Sequence, residues 1–141
     1  MGRPQSHSAL RFYLTAFQRF EDAEVLLNSQ PSRTTGAVYL AGYSVECILK
    51  ALVLSVTPKG VLKKTEEAIT HGTEGHDLEG IKQRYFNRAK VRMPGQLARH
   101  FARCNRWGPR IRYQSGIIKK SDADGFLESA RRILQWADTR L

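Results

Sequence analysis

Gly36-Ala-Val-Tyr-Leu-Ala-Gly-Tyr-Ser-Val-Glu46-Cys-Ile-Leu-Lys50-Ala-Leu-Val-Leu-Ser-Val56 is the stretch on which the fold turns, and only Glu46 and Lys50 are charged in it. Its length would suit a bilayer span. Two charges inside the segment, each costing several kcal/mol in lipid, and the lack of a second span argue for a different setting. At about 100° per residue, Tyr39, Tyr43, Glu46 and Lys50 share one face, and the other directions are almost wholly apolar. A helix apolar on most sides runs through the middle of a bundle. The spacing therefore predicts a central helix over about Arg33 to Val56. Glu46 precedes Lys50 by four residues, the favourable order for a helical ion pair. Spacing leaves open whether they pair with each other or with outside partners.

Outward from this helix the pattern stays helical. Ala9, Tyr13, Ala16, Phe20, Ala23 and Leu27 recur at intervals of three and four, widened by Leu10 and Phe17, with Arg11, Thr15, Gln18 and Asp22 opposite. Ser6 or Ser8 suits the N-cap of this packing helix, and Pro31 stops it. After Pro58 come a short polar helix, about Val61 to Ile69, and a glycine-rich turn from His71 to Asp77. A longer helix is expected from Asp77, as N-cap, to about Lys90. Another spans about Gly95 to Arg106, with Leu97, Phe101 and Cys104 inward and Arg99, Arg103 and Arg106 on the opposite stripe. Trp107 to Gly116 is rich in breakers. The last helix opens on Ser121-Asp-Ala-Asp124, which fits a capping box, and buries Phe126, Leu127, Ala130, Ile133, Leu134 and Ala137. No alternating strand and no repeat is found, so the expected class is all-α.

The chain has 141 residues, 41% of them hydrophobic and 26% charged, which is one globular domain rather than a disordered or multidomain chain. Two cysteines, Cys47 and Cys104, are too few for a disulfide scaffold and read as small buried apolar residues. Met1 to Ser6 lacks the apolar run of a signal peptide. A cytoplasmic protein with no membrane partner is the expectation. The net charge is +10, and it is regional. From Lys82 to Lys120 there are twelve Lys/Arg and no acid, while the rest of the chain has eleven against thirteen. Arginine outnumbers lysine eight to four in this segment, and Tyr85, Phe86, Phe101, Trp107 and Tyr113 are interleaved with it. Planar guanidinium groups suit bidentate phosphate contacts and stacking. An acid-free run of this length points to a polyanion partner.

Standard catalytic patterns are missing. There is no phosphate-binding P-loop and no dinucleotide glycine fingerprint. Gly42-Tyr-Ser44-Val-Glu46 starts like a nucleophile elbow but lacks the final glycine and falls inside a helix. His71, Glu74, His76 and Asp77 match no standard zinc spacing, so neither a metal nor another cofactor is expected.

Ala37-Val-Tyr-Leu-Ala-Gly-Tyr-Ser-Val-Glu46-Cys-Ile-Leu-Lys50-Ala-Leu52 resembles the signature helix of the HEPN family (higher eukaryotes and prokaryotes nucleotide-binding domain). Gly75-His-Asp-Leu78 resembles the family's short His-Asp-Leu segment. Arg112-Tyr113, followed by the acidic-capped helix, resembles its carboxy-terminal part. The likeness covers about Arg33 to Asp138, with no counterpart for the basic residues between Arg84 and Arg110. It implies an up-and-down bundle of four or five helices that often dimerises, and a frequent pairing with small nucleotidyltransferases. Many members cut RNA without a metal, using an Arg followed after four to six residues by a His. Here neither His7, His71, His76 nor His100 has an Arg at that spacing, and Ile117, Ile118 and Lys119 stand where Arg112 would need its His. The family's acid in the second helix often supports the arginine of the last segment, which would make Glu46 the carboxylate that orients Arg112.

The leading expectation is a non-catalytic module that binds a nucleotide or RNA. Arg99, Arg103, Arg106, Arg110, Arg112 and Lys119 would meet phosphate, Trp107 and Tyr113 would stack, and Tyr43, Glu46, Lys50 and His76 would form a supporting polar site. The alternative is an interaction protein, a helical homodimer or the partner of a nucleotidyltransferase in a toxin–antitoxin-like pair. A third reading is metal-independent RNA cleavage with His76 or His100 as base.

Overall fold

The computed structural model describes residues 4, 6–70, 78–86, 91–107, 111 and 115–141. The helices are α1 (His7–Asn28), α2 (Thr34–Ser55), α3 (Leu62–Thr70), α4 (Leu78–Ile81), α5 (Gly95–Trp107) and α6 (Lys120–Asp138). A 3-10 turn, Lys59–Val61, leads into α3, and a π turn, Lys82–Phe86, continues α4. No strand occurs among the described residues, so the fold is all-α. Among the described residues six α-helices stand where the resemblance implies four or five, because short α3 and α4 occupy the connection between α2 and α5.

Side-chain contacts fix how the long helices run. Lys50 near the end of α2 lies 5.8 Å from the Phe12 ring near the start of α1, and Gly36 at the start of α2 faces Leu26 at the end of α1. Those two are antiparallel. Tyr13 donates to Asp138 over 2.9 Å, and Arg131 reaches Glu24 at 3.2 Å, so α1 and α6 are antiparallel as well. His100 meets Ser129 and Arg103 meets Gly125, which turns α5 against α6. The long helices therefore alternate up, down, up, down along the chain.

At the centre lies α2, and every residue from Ser44 to Leu54 is buried. α2 is long and apolar enough to cross a membrane, but 78% of its most apolar window is buried inside the bundle. Its apolar surface is used against α1 and α6, as the helix with few polar directions predicts. α1 presents Ala9, Ala16, Phe20, Ala23 and Leu27 to this core. Ser6, rather than Ser8, caps α1 by accepting from the Ala9 N–H at 3.4 Å, while Ser8 donates to Glu66 on α3 over 2.7 Å.

Two sequence expectations need correction. The last helix does not start in a capping box: Lys119 is its N-cap without a side-chain cap bond, Ser121 lies inside the helix, and Asp124 pairs with Lys120 at 2.8 Å. Tertiary contacts set this entry instead. Thr34 donates to the Ile118 carbonyl over 2.7 Å, Thr35 to the Gly116 carbonyl over 3.0 Å, and Ile118 is buried. Nor is the helix after residue 77 a long α-helix; it changes to a π turn after Ile81. An α-helix separates positions five apart by about 140°, whereas an i→i+5 ladder brings them close to one side. That places Ile81 and Phe86, both about 2% exposed, in one core. The expected N-cap Asp77 and the end at Lys90 lie outside the described residues.

Candidate nucleic-acid interface

α5 sorts its residues as its periodicity predicts. Leu97, Phe101 and Cys104 are buried, and Arg99, Arg103 and Arg106 are exposed on the other side. Lys119, also exposed, stands at the entry to α6. Arg110, Arg112, Tyr113 and His76, the Trp107 side chain, and the metal-ligand candidates His71, Glu74 and Asp77 lie outside the described residues. Among the described residues no group of three His, Cys, Asp or Glu is placed to hold a metal.

Arg103 has a structural engagement that spacing did not show. Its Nη1 donates to the Gly125 carbonyl over 2.9 Å and to Ser129 Oγ at 3.4 Å. Glycine makes this approach possible, because a Cβ at position 125 would lie 2.9 Å from that nitrogen. Ser129 is fully buried, and its Oγ is 2.9 Å from His100 Nδ1. His100 Nδ1 and Arg103 Nη1 thus share the Ser129 hydroxyl, which leaves Nε2 as the other ring nitrogen of His100. Burial and then the charges of Arg99, Arg103 and Arg132 hold His100 below its ordinary pKa, against a smaller pull from Glu128. The ring is neutral at pH 7.

His100 opens into a groove of about 730 Å³ between α5 and α6, which Arg99, Glu128, Arg132, Gln135 and Trp136 also line. That volume is within the ordinary range for small-ligand sites, about 300–1,000 Å³. Arg132 meets Glu128 through Nε at 2.9 Å, and Arg131 takes the other Glu128 oxygen. The Arg132 hydrogen bond is the first cause that keeps Glu128 below the usual carboxylate range. Trp136 packs on Phe86 with ring centroids 6.3 Å apart. Its indole N–H is buried and meets no acceptor among the described residues; such a group costs about 1–3 kcal/mol. The α6 side of this groove escaped the sequence reading. Arg132, Gln135 and Trp136 lie off the buried stripe of α6, and only the packing of α5 sets them on one groove with Arg99 and His100.

The supporting polar site is a second, separate place. Lys50 Nζ donates to Glu46 Oε2 over 3.0 Å, with Lys50 4% and Glu46 7% exposed. The two charges pair with each other; the Arg112 arrangement lies outside the described residues. Tyr43, one turn before Cys47, is held above its ordinary pKa, first by Cys47 and then by burial. Burial pushes both thiols up to about 12, with Glu46 adding to the effect at Cys47. Both remain protonated at neutral pH and are poor nucleophiles.

Comparison with known proteins adds no relative: no family model, no curated protein and no solved structure matches this chain.

Proposed function

We propose that this protein is a non-catalytic, HEPN-like helical module that binds RNA or a nucleotide through the segment from Lys82 to Lys120. One observation carries the reading. All the excess positive charge lies in a segment without a single acid, and its described arginines on α5 face outward. Among the described residues no carboxylate pairs with Arg92, Arg99, Arg103 or Lys119, whereas the arginines at 11, 19, 131 and 132 all have one. An external anion is the natural counter-charge for such a surface. Arg110, Arg112, Trp107 and Tyr113 complete the segment in this reading, with the guanidinium groups on phosphate and the rings under bases. The all-α bundle is compatible with the HEPN resemblance, and the Arg–His spacing of its cleaving members is missing from the sequence.

The test is the affinity for a single-stranded RNA ten-mer as salt is raised. About six phosphate contacts on a single strand predict a loss of about 300-fold between 50 and 200 mM. A flat salt response, or no binding at 50 mM, overturns the reading, and a flat response is what an apolar helical interaction protein would give. The RNA should stay intact in EDTA; degradation would make the protein a metal-independent RNase.

A further inference from the structure

We infer that the groove between α5 and α6 is the nucleotide subsite of this surface, taking one phosphate between Arg99, His100 and Arg132 and one base against Trp136. The inference rests on the RNA- or nucleotide-binding reading and gives it an address. Two guanidinium groups and one imidazole line the groove, and both arginines are near enough to act on the ring's charge. Arg99 is exposed and has no carboxylate partner among the described residues. Arg132 uses only Nε on Glu128, so its two terminal amino groups are not engaged by that pair. His100 is held at Nδ1 by Ser129, and its Nε2 donates to an anion when it carries a proton. Glu128 is the one acid among the described residues that line the groove, and two arginines already hold it.

The rest of the groove suits a base. Trp136 supplies an aromatic wall, and stacking is indifferent to base identity. Gln96 and Gln135, which also line the groove, each have an amide that can both donate and accept, as base edges require. A bare anion site would need neither feature. The ligand class is therefore a 5′-nucleotide unit, either free or within a strand.

The arrangement also makes binding proton-linked. The charged groups around His100 are Arg99 and Arg103 from α5 and Arg132 and Glu128 from α6. Three cations against one carboxylate favour the neutral ring. A bound phosphate offsets those cations, so His100 gains a proton on binding, Nδ1–H then donates to Ser129 Oγ, and the part of the affinity that depends on His100 rises as pH falls.

The experiment titrates the intact protein at 50 mM salt with AMP, inorganic phosphate and a single-stranded RNA ten-mer, following the Trp136 indole N–H resonance and the affinities. AMP should shift that resonance and bind at least tenfold tighter than phosphate. Arg99→Gln and Arg132→Gln should each weaken AMP about tenfold, and His100→Asn should remove the extra gain in affinity below pH 6.5 relative to wild type. If only the ten-mer responds to these substitutions, the nucleotide is one within a strand; if only AMP does, it is a free one. Phosphate binding as tightly as AMP overturns the nucleotide assignment. RNA binding that stays salt-sensitive but indifferent to both arginine variants overturns the groove and leaves the broader reading standing. If no probe binds, both fall.

Discussion

The helices α1, α2 and α6 and the segment from Lys82 to Lys120 treat charge in opposite ways. In the first group each cation has an answer nearby: Arg131 bridges Glu24 and Glu128, Arg132 shares Glu128, and Lys50 has Glu46 inside the core. In the segment the one ion pair among the described residues is Lys120 with Asp124, at its very end. Lys82 instead lies over the Phe101 ring at 5.2 Å. The framework gains its stability from apolar burial and local pairing, and it is close to electrical balance. The segment holds its inward side in the same core through Phe101 and Cys104, while Arg99 and Arg103 on its outward side have no carboxylate partner among the described residues. Folding alone does not require that imbalance, since acids on the outer face of α5 would relieve it at no cost in packing.

Breaking the framework's central pair should have the largest effect. Glu46→Leu leaves the Lys50 ammonium, 4% exposed, without its carboxylate. An orphaned buried charge costs about 3–5 kcal/mol. Urea denaturation at pH 7 should show a loss of that size. The deficit should shrink as pH rises, because an unpaired buried ammonium has its pKa depressed and sheds its proton more readily than in the unfolded chain. A pH-independent loss would mean that packing, not charge, is what Glu46 provides.

The next contrast removes one arginine from each region. Arg131→Gln severs contacts to Glu24 and Glu128 and should cost up to about 1 kcal/mol, since both ion pairs are partly exposed. Arg99→Gln removes a cation without a described partner and should change stability by less than about 0.5 kcal/mol. Equal losses would erase the distinction between the two regions. Added salt should narrow it, because screening relieves repulsion within the segment and weakens the framework's exposed pairs.

Acid should act on the border between the regions. The folded pKa of His100 is below its unfolded value, so the unfolded chain binds the extra proton first. The neutral ring's contribution is present above about pH 6.5 and is lost as pH falls through that window. Glu128, with its folded pKa lowered, contributes above its unfolded pKa and loses that contribution in stronger acid. Thermal melts from pH 7.5 to 5.5 should therefore fall less steeply for His100→Asn than for wild type, with Glu128 ionised throughout that range.

The two regions were also unequally legible. Amphipathic periodicity alone located the faces of α1, α2, α5 and α6, because burial in a bundle imposes the 3.6-residue repeat directly on sequence. The π turn escaped it, since Ile81 and Phe86 match neither helical interval. The start of α6 escaped too: Ser121-Asp-Ala-Asp124 has capping chemistry, but Thr34 and Thr35, more than eighty residues away, fix where the chain enters. The exposed arginines of α5 were legible one by one. Their relation to Arg132, Gln135 and Trp136 was not, because a groove belongs to two helices and periodicity describes one at a time.

The smallest effect on stability is expected at Gly125, where the two regions touch. Replacing a glycine inside a helix by alanine favours the helix by about 1 kcal/mol. Here the added methyl would lie 2.9 Å from Arg103 Nη1, the tip of a flexible and exposed side chain, so the guanidinium can swing away rather than strain the backbone. The lost contacts to the Gly125 carbonyl and Ser129 are partly exposed and offset much of the helical gain. Gly125→Ala should thus leave the melting temperature within a few degrees of wild type. His100 should respond far more clearly: with Arg103 displaced, one of the charges that depress its pKa is gone, and its NMR titration midpoint should move upward. An unchanged midpoint would show that Arg103 does not act on His100 through this contact, and that the positive segment and the α6 framework are packed together without being electrostatically coupled there.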